Sequence, residues 1–359
     1  MCKICNDFQN INQDAFADNL LDMMNMGALS LMVSIGHRTK LFDTMENMPF
    51  ASSDEIAGET GLNERYVREW LGALTTGGII EIDVTGKRFR LPPEHAAFLT
   101  RSAGSDNIGV FSQYIATLGS VEDRIVDCFK NGGGVSYDEF NRFHEVMAED
   151  SGQSVLSSLF TDILPLVPGV TSKLESGIDV LDVGCGRGKA LIRMAYKYPN
   201  SRFYGYDYCM EPIEDAIAEA TKLGLKNIYF EQRDLTHYQH ERQFDFITAF
   251  DAIHDQARPD NILRNIYQAL KDGGYFLMQD IDASSNISEN MDHPLGPLLY
   301  TVSTMHCMTV SLAQNGMGLG TMWGVDTAME MLKDAGFQKI DIKRLPHDIQ
   351  NCFFIIQKK

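Results

Sequence analysis

The chain predicts two folded parts: a mainly helical N-terminal module containing a winged helix, and behind it a doubly wound α/β domain whose mostly parallel sheet ends in an antiparallel hairpin. Three observations carry this. The 359 residues are too many for one ordinary core. From Ile178 onward, short apolar runs alternate with helical segments, the pattern of parallel strands joined by crossover helices. The last two runs, 338–344 and 352–357, are joined by a short Pro-containing loop and fit an antiparallel pair. The boundaries that follow are a helical and winged-helix module over 1–105, a helical connector over 106–175, and the α/β domain over 176–359 with an insertion at 281–324.

Taken in order, residues 10–46 place Phe16, Leu20, Leu21, Met24, Leu29, Met32 and Ile35 at helical spacing. This methionine-rich surface is costly to leave in water, so it packs on another chain or on the second domain, or forms an ordinary core helix. Over 50–100, Ser53 caps a helix broken by Gly61, and Asn63 caps a second through Val67, Trp70, Leu71 and Leu74. Two runs, 79–82 and 87–91, then form a hairpin turning at Thr85-Gly86. Such a module can read DNA with its second helix. Here Glu64 and Glu69 sit beside Arg65 and Arg68, so the charges cancel and a packing or dimerising role is favoured. Residues 105–175 read as helical with a break at 131–134, either a hinge or a surface loop. The remaining strands are expected at 179–183, 202–206, 228–232, 244–250 and 275–278.

Composition bounds the partners. A net charge of −18 repels phosphate backbones and anionic membranes, which argues against nucleic acid and membrane binding. No basic segment leads into a long apolar core, and the apolar stretch 26–36 is about half the length that spans a bilayer. The seven cysteines are odd in number and scattered, which fits reduced thiols in the cytoplasm. Cys2 and Cys5 form a C-x-x-C without a second pair at zinc-finger spacing, so no metal is expected there.

The chemistry concentrates in Val180-Leu181-Asp182-Val183-Gly184-Cys185-Gly186-Arg187-Gly188, a buried strand that turns through three alternating glycines into a helix. Glycine suits positive φ and close backbone approach to a ligand, and the helix start offers unpaired N–H groups. A dinucleotide fingerprint would need glycine where Lys189 stands. The second strand ends in Asp207, able to accept from both hydroxyls of a ribose, and the third is followed by Asp234, placed to accept from an adenine amino group.

Together these residues resemble the class I S-adenosylmethionine-dependent methyltransferases. The resemblance implies that Gly184, Gly186 and Gly188 receive the methionine portion of S-adenosylmethionine with Asp182 nearby, that Asp207 takes the ribose, that Tyr208 flanks the adenine, and that Asp234 reads its edge. Phe250, at the end of the fourth strand, joins this set. The N-terminal half is similar to that of small-molecule O-methyltransferases, which implies a homodimer in which this module dimerises and covers the active site. It also implies that Phe143 and Met147 lie beside the cofactor and acceptor. In that family a stretch like Ala249–Gln256 ending in His-Asp holds the general base, which falls on His254 here; Gln256 stands where the family usually has Trp. A hydroxyl is a poor nucleophile until deprotonated, and histidine titrates near physiological pH. A structural His254 capping the next helix is the alternative. His293, Tyr300, His306 and Trp323 in the insertion are expected in the substrate pocket, while His306-Cys307 lacks the spacing of a metal site. Two other readings remain: a metal-dependent catechol-type enzyme using Asp251, Asp280 and Asp282, and a winged-helix regulator that senses S-adenosylmethionine.

Overall fold

A computed structural model describes residues 13–237, 242–346 and 348–359. They divide into two compact units, residues 13–120 and Val121–Lys359.

In the first unit, helix α1 (Gln13–Arg38) runs 26 residues. Its last third joins the core: Val33 is buried, and the Trp70 indole N–H donates to the Met32 carbonyl at 2.8 Å. Its first two thirds stand out, with Phe16, Leu20, Leu21, Met23, Met24 and Met26 all exposed. Helix α2 (Ser53–Thr60) and helix α3 (Glu64–Thr76) follow, packed through Ile56, Val67, Trp70, Leu71 and Leu74. The cap of α2 is Ser52, one residue before the expected Ser53. Ser52 and Glu55 form a reciprocal capping box, while the Ser53 hydroxyl donates to Glu64 at 2.5 Å. Asn63 caps α3 as expected, accepting from the Arg65 amide. The hairpin is shorter than the apolar runs suggest. Strands β1 (Glu81–Ile82) and β2 (Phe89–Arg90) pair over two residues each, because the Asp83 carboxylate draws the Lys87 and Arg88 amides into a wide turn. Along α3, Arg68 pairs with Glu64 and Arg65 with Glu69, so the helix presents no net basic stripe.

The second unit holds a seven-stranded sheet of β3 (Asp179–Val183), β4 (Arg202–Asp207), β5 (Ile228–Gln232), β6 (Phe244–Phe250), β7 (Leu270–Ile281), β8 (Lys339–Lys343) and β9 (Asn351–Gln357). Across the sheet their order is β5-β4-β3-β6-β7-β9-β8. All pairings from β3 through β7 are parallel, and β9 runs antiparallel to both β7 and β8. Alternate side chains feed two cores. Leu181, Val183, Ile247 and Met278 face one, with Ile262 and Leu263 of the crossover helix Pro259–Ala269; Val180, Phe203, Phe246 and Leu277 face the other, with Leu191 of Lys189–Lys197. Strand order reverses between β3 and β6, and at such a switch point the crevice beyond the strand C-termini is where a parallel sheet takes ligands. The glycine break at 131–134 leads into a docked segment: buried Val135 donates its N–H to the Thr309 hydroxyl at 2.9 Å.

Candidate functional site

The turn after β3 is stitched to its neighbour strand, with the Gly184 and Cys185 amides both donating to the Tyr206 carbonyl. Gly184 has φ 68°, and a Cβ there would come within 2.5 Å of Ala252 Cβ; Gly188, at φ 64°, starts the following helix, and a Cβ would reach 2.4 Å from the Phe230 ring. No side chain fits at either position. Between them Gly186 faces open space, and its amide donates to Asp207 Oδ2 at 2.8 Å. Asp207 Oδ1 accepts from the Cys209 amide at 2.9 Å. Burial pushes the Asp207 carboxyl up, against the pull of those two amides. Asp182 is buried and accepts from the Thr248 hydroxyl at 2.7 Å; desolvation outweighs that bond and pushes it up to about 7.

Asp182, Gly184, Gly186, Gly188, Asp207, Tyr208, Asp234 and Phe250 all line one cavity. Tyr208 is half-exposed at its rim, and Asp234 caps the Thr236 amide at 2.9 Å. A glycine turn open toward the cavity, with carboxylates at three strand ends around it, fits a nucleoside that carries a cationic amino-acid portion.

Phe143 and Met147, on the helix Phe143–Ser154, also line this cavity, together with His306. The His306 backbone lies in a π-turn, Ser303–Cys307, closed by the Met308 amide on the Ser303 carbonyl. Its ring is 1% exposed and stacks on Phe143, centroids 3.4 Å apart and 9° from parallel, with Phe140 and Tyr137 edge-on. Its Nδ1 lies 3.6 Å from Cys307 Sγ, and its Nε2 has no hydrogen-bond partner. Burial, then the nearby His144 and His254, push this ring well below the ordinary histidine value.

His254, just past β6, is 3% exposed and lies behind the cavity wall. Its Nδ1 is 2.8 Å from Asp280 Oδ1, an oxygen that also accepts from the Trp323 indole at 3.0 Å. Burial alone would lower the imidazole, but the Asp280 carboxylate and Cys307 beside it hold it well above its ordinary value. On the cavity side stands Asp255, which accepts from the Tyr137 hydroxyl and from Gln256, and which burial raises to about 6. Tyr137 and Asp255 are 118 residues apart, and no motif in the sequence links them.

Three of the insertion residues expected in the pocket sit away from the cavity. His293 accepts the Leu295 amide at a helix start, Tyr300 packs on the Ile281–Leu299–Met322 cluster with its hydroxyl accepting from Asn290, and Trp323 serves Asp280. The three acids of the catechol-type reading are also separately engaged. Asp251 accepts from Gln279, Asp280 holds His254 and Trp323, and both oxygens of Asp282 are taken by Arg344. Among the described residues no group of three ligands is arranged for a metal. The Cys2–Cys5 motif lies outside the described residues, and the described cysteines are free thiols.

The fold is that of a methyltransferase domain preceded by a winged helix. Residues 174–336 match the model of a methyltransferase domain family, and residues 27–101 that of the Rv2258c-like winged HTH domain. The crystal structure of human N-acetylserotonin methyltransferase in complex with S-adenosylmethionine superposes with a TM-score of 0.69 at 16% identity, covering 98% of this chain and 99% of that one. An O-methyltransferase family protein from Burkholderia thailandensis gives 0.67 at 15% identity, covering 95% and 98%. In sequence, the probable (S)-tetrahydroprotoberberine N-methyltransferase 2 of Papaver bracteatum is 25% identical over 148 residues, 41% of this chain and 39% of that enzyme. The chain thus spans well under two thirds of that relative's length. No helix among the described residues is long and apolar enough to cross a membrane.

Proposed function

We propose that the chain transfers a methyl group from S-adenosylmethionine to an oxygen, nitrogen or sulfur atom of a small-molecule acceptor. The observation that carries this is the convergence of the glycine turn, three strand-end acids and an aromatic wall on one cavity. In this reading the turn at Gly184, Gly186 and Gly188 holds the amino-acid portion with Asp182 beside it. Asp207, with lone pairs to spare beyond its two amides, takes the ribose hydroxyls, and Tyr208, Asp234 and Phe250 surround the adenine. When bound, the cofactor supplies a methyl carbon made electrophilic by its sulfonium. Phe143, Met147 and His306 face the acceptor and hold it in line, and positioning of this kind is worth about 7–11 kcal/mol of a barrier. The His254–Asp280 pair is the general base system, with Trp323 fixing the carboxylate.

The exposed methionine-rich face of α1 supports a homodimer through the N-terminal unit, and the free thiols support a cytoplasmic location. The neutralised recognition helix speaks for a packing role over DNA reading. The test is incubation with methyl-deuterated S-adenosylmethionine and a metabolite extract. A labelled small-molecule product is expected. Absence of label transfer, together with calorimetry showing no binding of S-adenosylhomocysteine, overturns the reading.

A further inference from the structure

Lys189 stands where a dinucleotide-binding turn would carry glycine, and it opens the helix Lys189–Lys197. Its side chain lines the cavity, and its Nζ donates to the Ala148 carbonyl at 2.9 Å. Ala148 lines the same cavity from the helix Phe143–Ser154, next to Met147. One ammonium therefore joins the glycine turn to the helix that carries Phe143 and Met147. That helix starts after Arg142, a non-glycine residue at φ 63°. A second polar tie holds its first turn, with His144 Nδ1 at 3.3 Å from Glu211 Oε2.

Five aspartates and three Lys or Arg side chains line the cavity, so a ligand carboxylate entering it needs a cation beside it. Two of the three cations are engaged. Arg187 pairs with Glu211 at 3.1 Å and with Asp215 at 2.9 Å. Arg233 pairs with Glu231 at 2.8 Å and lies over the Tyr206 ring. Lys189 forms no ion pair among the described residues; a neutral carbonyl takes one of its ammonium protons and leaves the others to a ligand. Partial burial, then Arg187 and Arg193, hold the ammonium below the ordinary lysine value, with Glu149 opposing. An anion on the ligand relieves that penalty, and a second neutral acceptor does so less well.

We propose that Lys189 is a carboxylate latch: its ammonium takes the carboxylate of the ligand's amino-acid portion while keeping the Ala148 carbonyl, so that one group holds both the ligand and the helix Phe143–Ser154. Resting on the methyltransferase reading of this cavity, the latch gives the amino-acid portion a partner for each charge, Asp182 for the ammonium and Lys189 for the carboxylate. The helix start behind Gly188, which no side chain caps, adds N–H groups to the same anion. A ligand without the carboxylate leaves Lys189 unmatched and binds weakly. It also leaves the helix held at this point by the carbonyl contact alone. Closure of Phe143 and Met147 over the cavity therefore follows the carboxylate rather than the nucleoside.

The experiment titrates the full-length protein, by calorimetry, with S-adenosylhomocysteine and with its decarboxylated analogue, which lacks only the carboxylate. Wild type should prefer S-adenosylhomocysteine by about 10- to 100-fold, the worth of a hydrogen bond to a charged group. Lys189→Met keeps an apolar stem and drops the charge; there the preference should fall to about twofold or less, with the analogue bound as in wild type. Arg187→Gln, whose charge is already matched by Glu211 and Asp215, should retain the preference. Hydrogen exchange on the saturated samples reads the helix. Amides over 143–154 should be slowed more by S-adenosylhomocysteine than by the analogue in wild type, and equally by both in Lys189→Met. A preference that survives in Lys189→Met, or one that disappears in Arg187→Gln instead, overturns the latch. So does an equal loss of both ligands in Lys189→Met, which marks a role in the fold, or helix protection that ignores the carboxylate in wild type. Absence of S-adenosylhomocysteine binding in the wild type defeats the methyltransferase reading, whereas tight binding without a Lys189-dependent preference defeats only the latch.

Discussion

Under the proposed function, the cavity wall assigned to the cofactor is made of backbone, and the wall assigned to the acceptor is made of side chains. On the first, amides of Gly184, Cys185, Gly186 and Cys209 are spent on fixed partners at strand ends, and two glycines admit no Cβ. On the second, the rings of Phe143 and Tyr137 pack on His306 with Phe140 against it, and behind that wall His254, Trp323 and Asp280 share hydrogen bonds. A backbone-built wall fails when a side chain intrudes and is otherwise indifferent to chemistry. A side-chain wall tolerates changes in shape but is sensitive to which atoms carry protons. Substitutions should therefore cut binding on one wall and turnover on the other.

The largest effect expected is on the backbone wall. Gly188→Val combines φ 64° with a clash against Phe230, and should abolish S-adenosylhomocysteine binding by calorimetry. Gly186→Ala is its control: a Cβ there meets nothing within 4 Å, so it carries only the left-handed backbone cost of about 1–2 kcal/mol and should fold with weakened binding. Equal, undiminished binding in both would break the comparison. Next comes His254→Gln, expected to lower kcat by about 10²-fold while leaving S-adenosylhomocysteine affinity intact. Because His254 must be neutral to accept a proton and Asp280 holds it high, wild-type activity should rise with pH through a midpoint above the ordinary histidine value. Loss of that rise in Asp255→Asn, with His254→Gln retaining it, would transfer the role to Asp255. Asp207→Ala is smaller, an affinity loss of about 1.5–3 kcal/mol with kcat little changed, since it deletes a hydrogen bond to a charged group. A kcat effect exceeding the affinity effect there would blur the division between the walls.

The same division explains what could be read from the residues alone. Strands β3, β5 and β6 fall where the apolar runs place them, and the glycine turn is recognisable because positive φ restricts the residue type. Even the Ser52 cap was open to a stricter reading, since Ser52 and Glu55 have capping-box spacing and Ser53 does not. The acceptor wall offers no such local code. The insertion folds into short helices and a π-turn, which a 3.6-residue period cannot locate, so His306 reaches the cavity while His293, Tyr300 and Trp323 do not. Asp280 reads as a candidate metal ligand in sequence and proves to be the partner of His254, 26 residues away.

Titration of Asp182 tests the backbone wall electrostatically. Desolvation raises Asp182 to about 7, with the Thr248 hydrogen bond opposing and Asp207 adding to the shift. The sign follows from linkage: a carboxyl raised above its unfolded value of 3.8 favours the fold below that pH and loses this contribution as pH climbs through about 7. The ligand-free site thus holds a neutral Asp182 in mildly acidic buffer and an uncomfortable carboxylate above it. A cationic ammonium beside Asp182 prefers the carboxylate, so binding below about pH 7 must expel a proton. S-adenosylhomocysteine affinity should accordingly climb with pH, by up to about tenfold per unit, and level off above 7. Asp182→Asn cannot ionise and should give a flat curve. Asp255→Asn removes the other carboxyl near that range, raised to about 6, and should leave the slope in place. A flat wild-type curve would mean that the amino group of the ligand lies elsewhere than beside Asp182, and the glycine turn would then have to bind its amino-acid portion through amides alone.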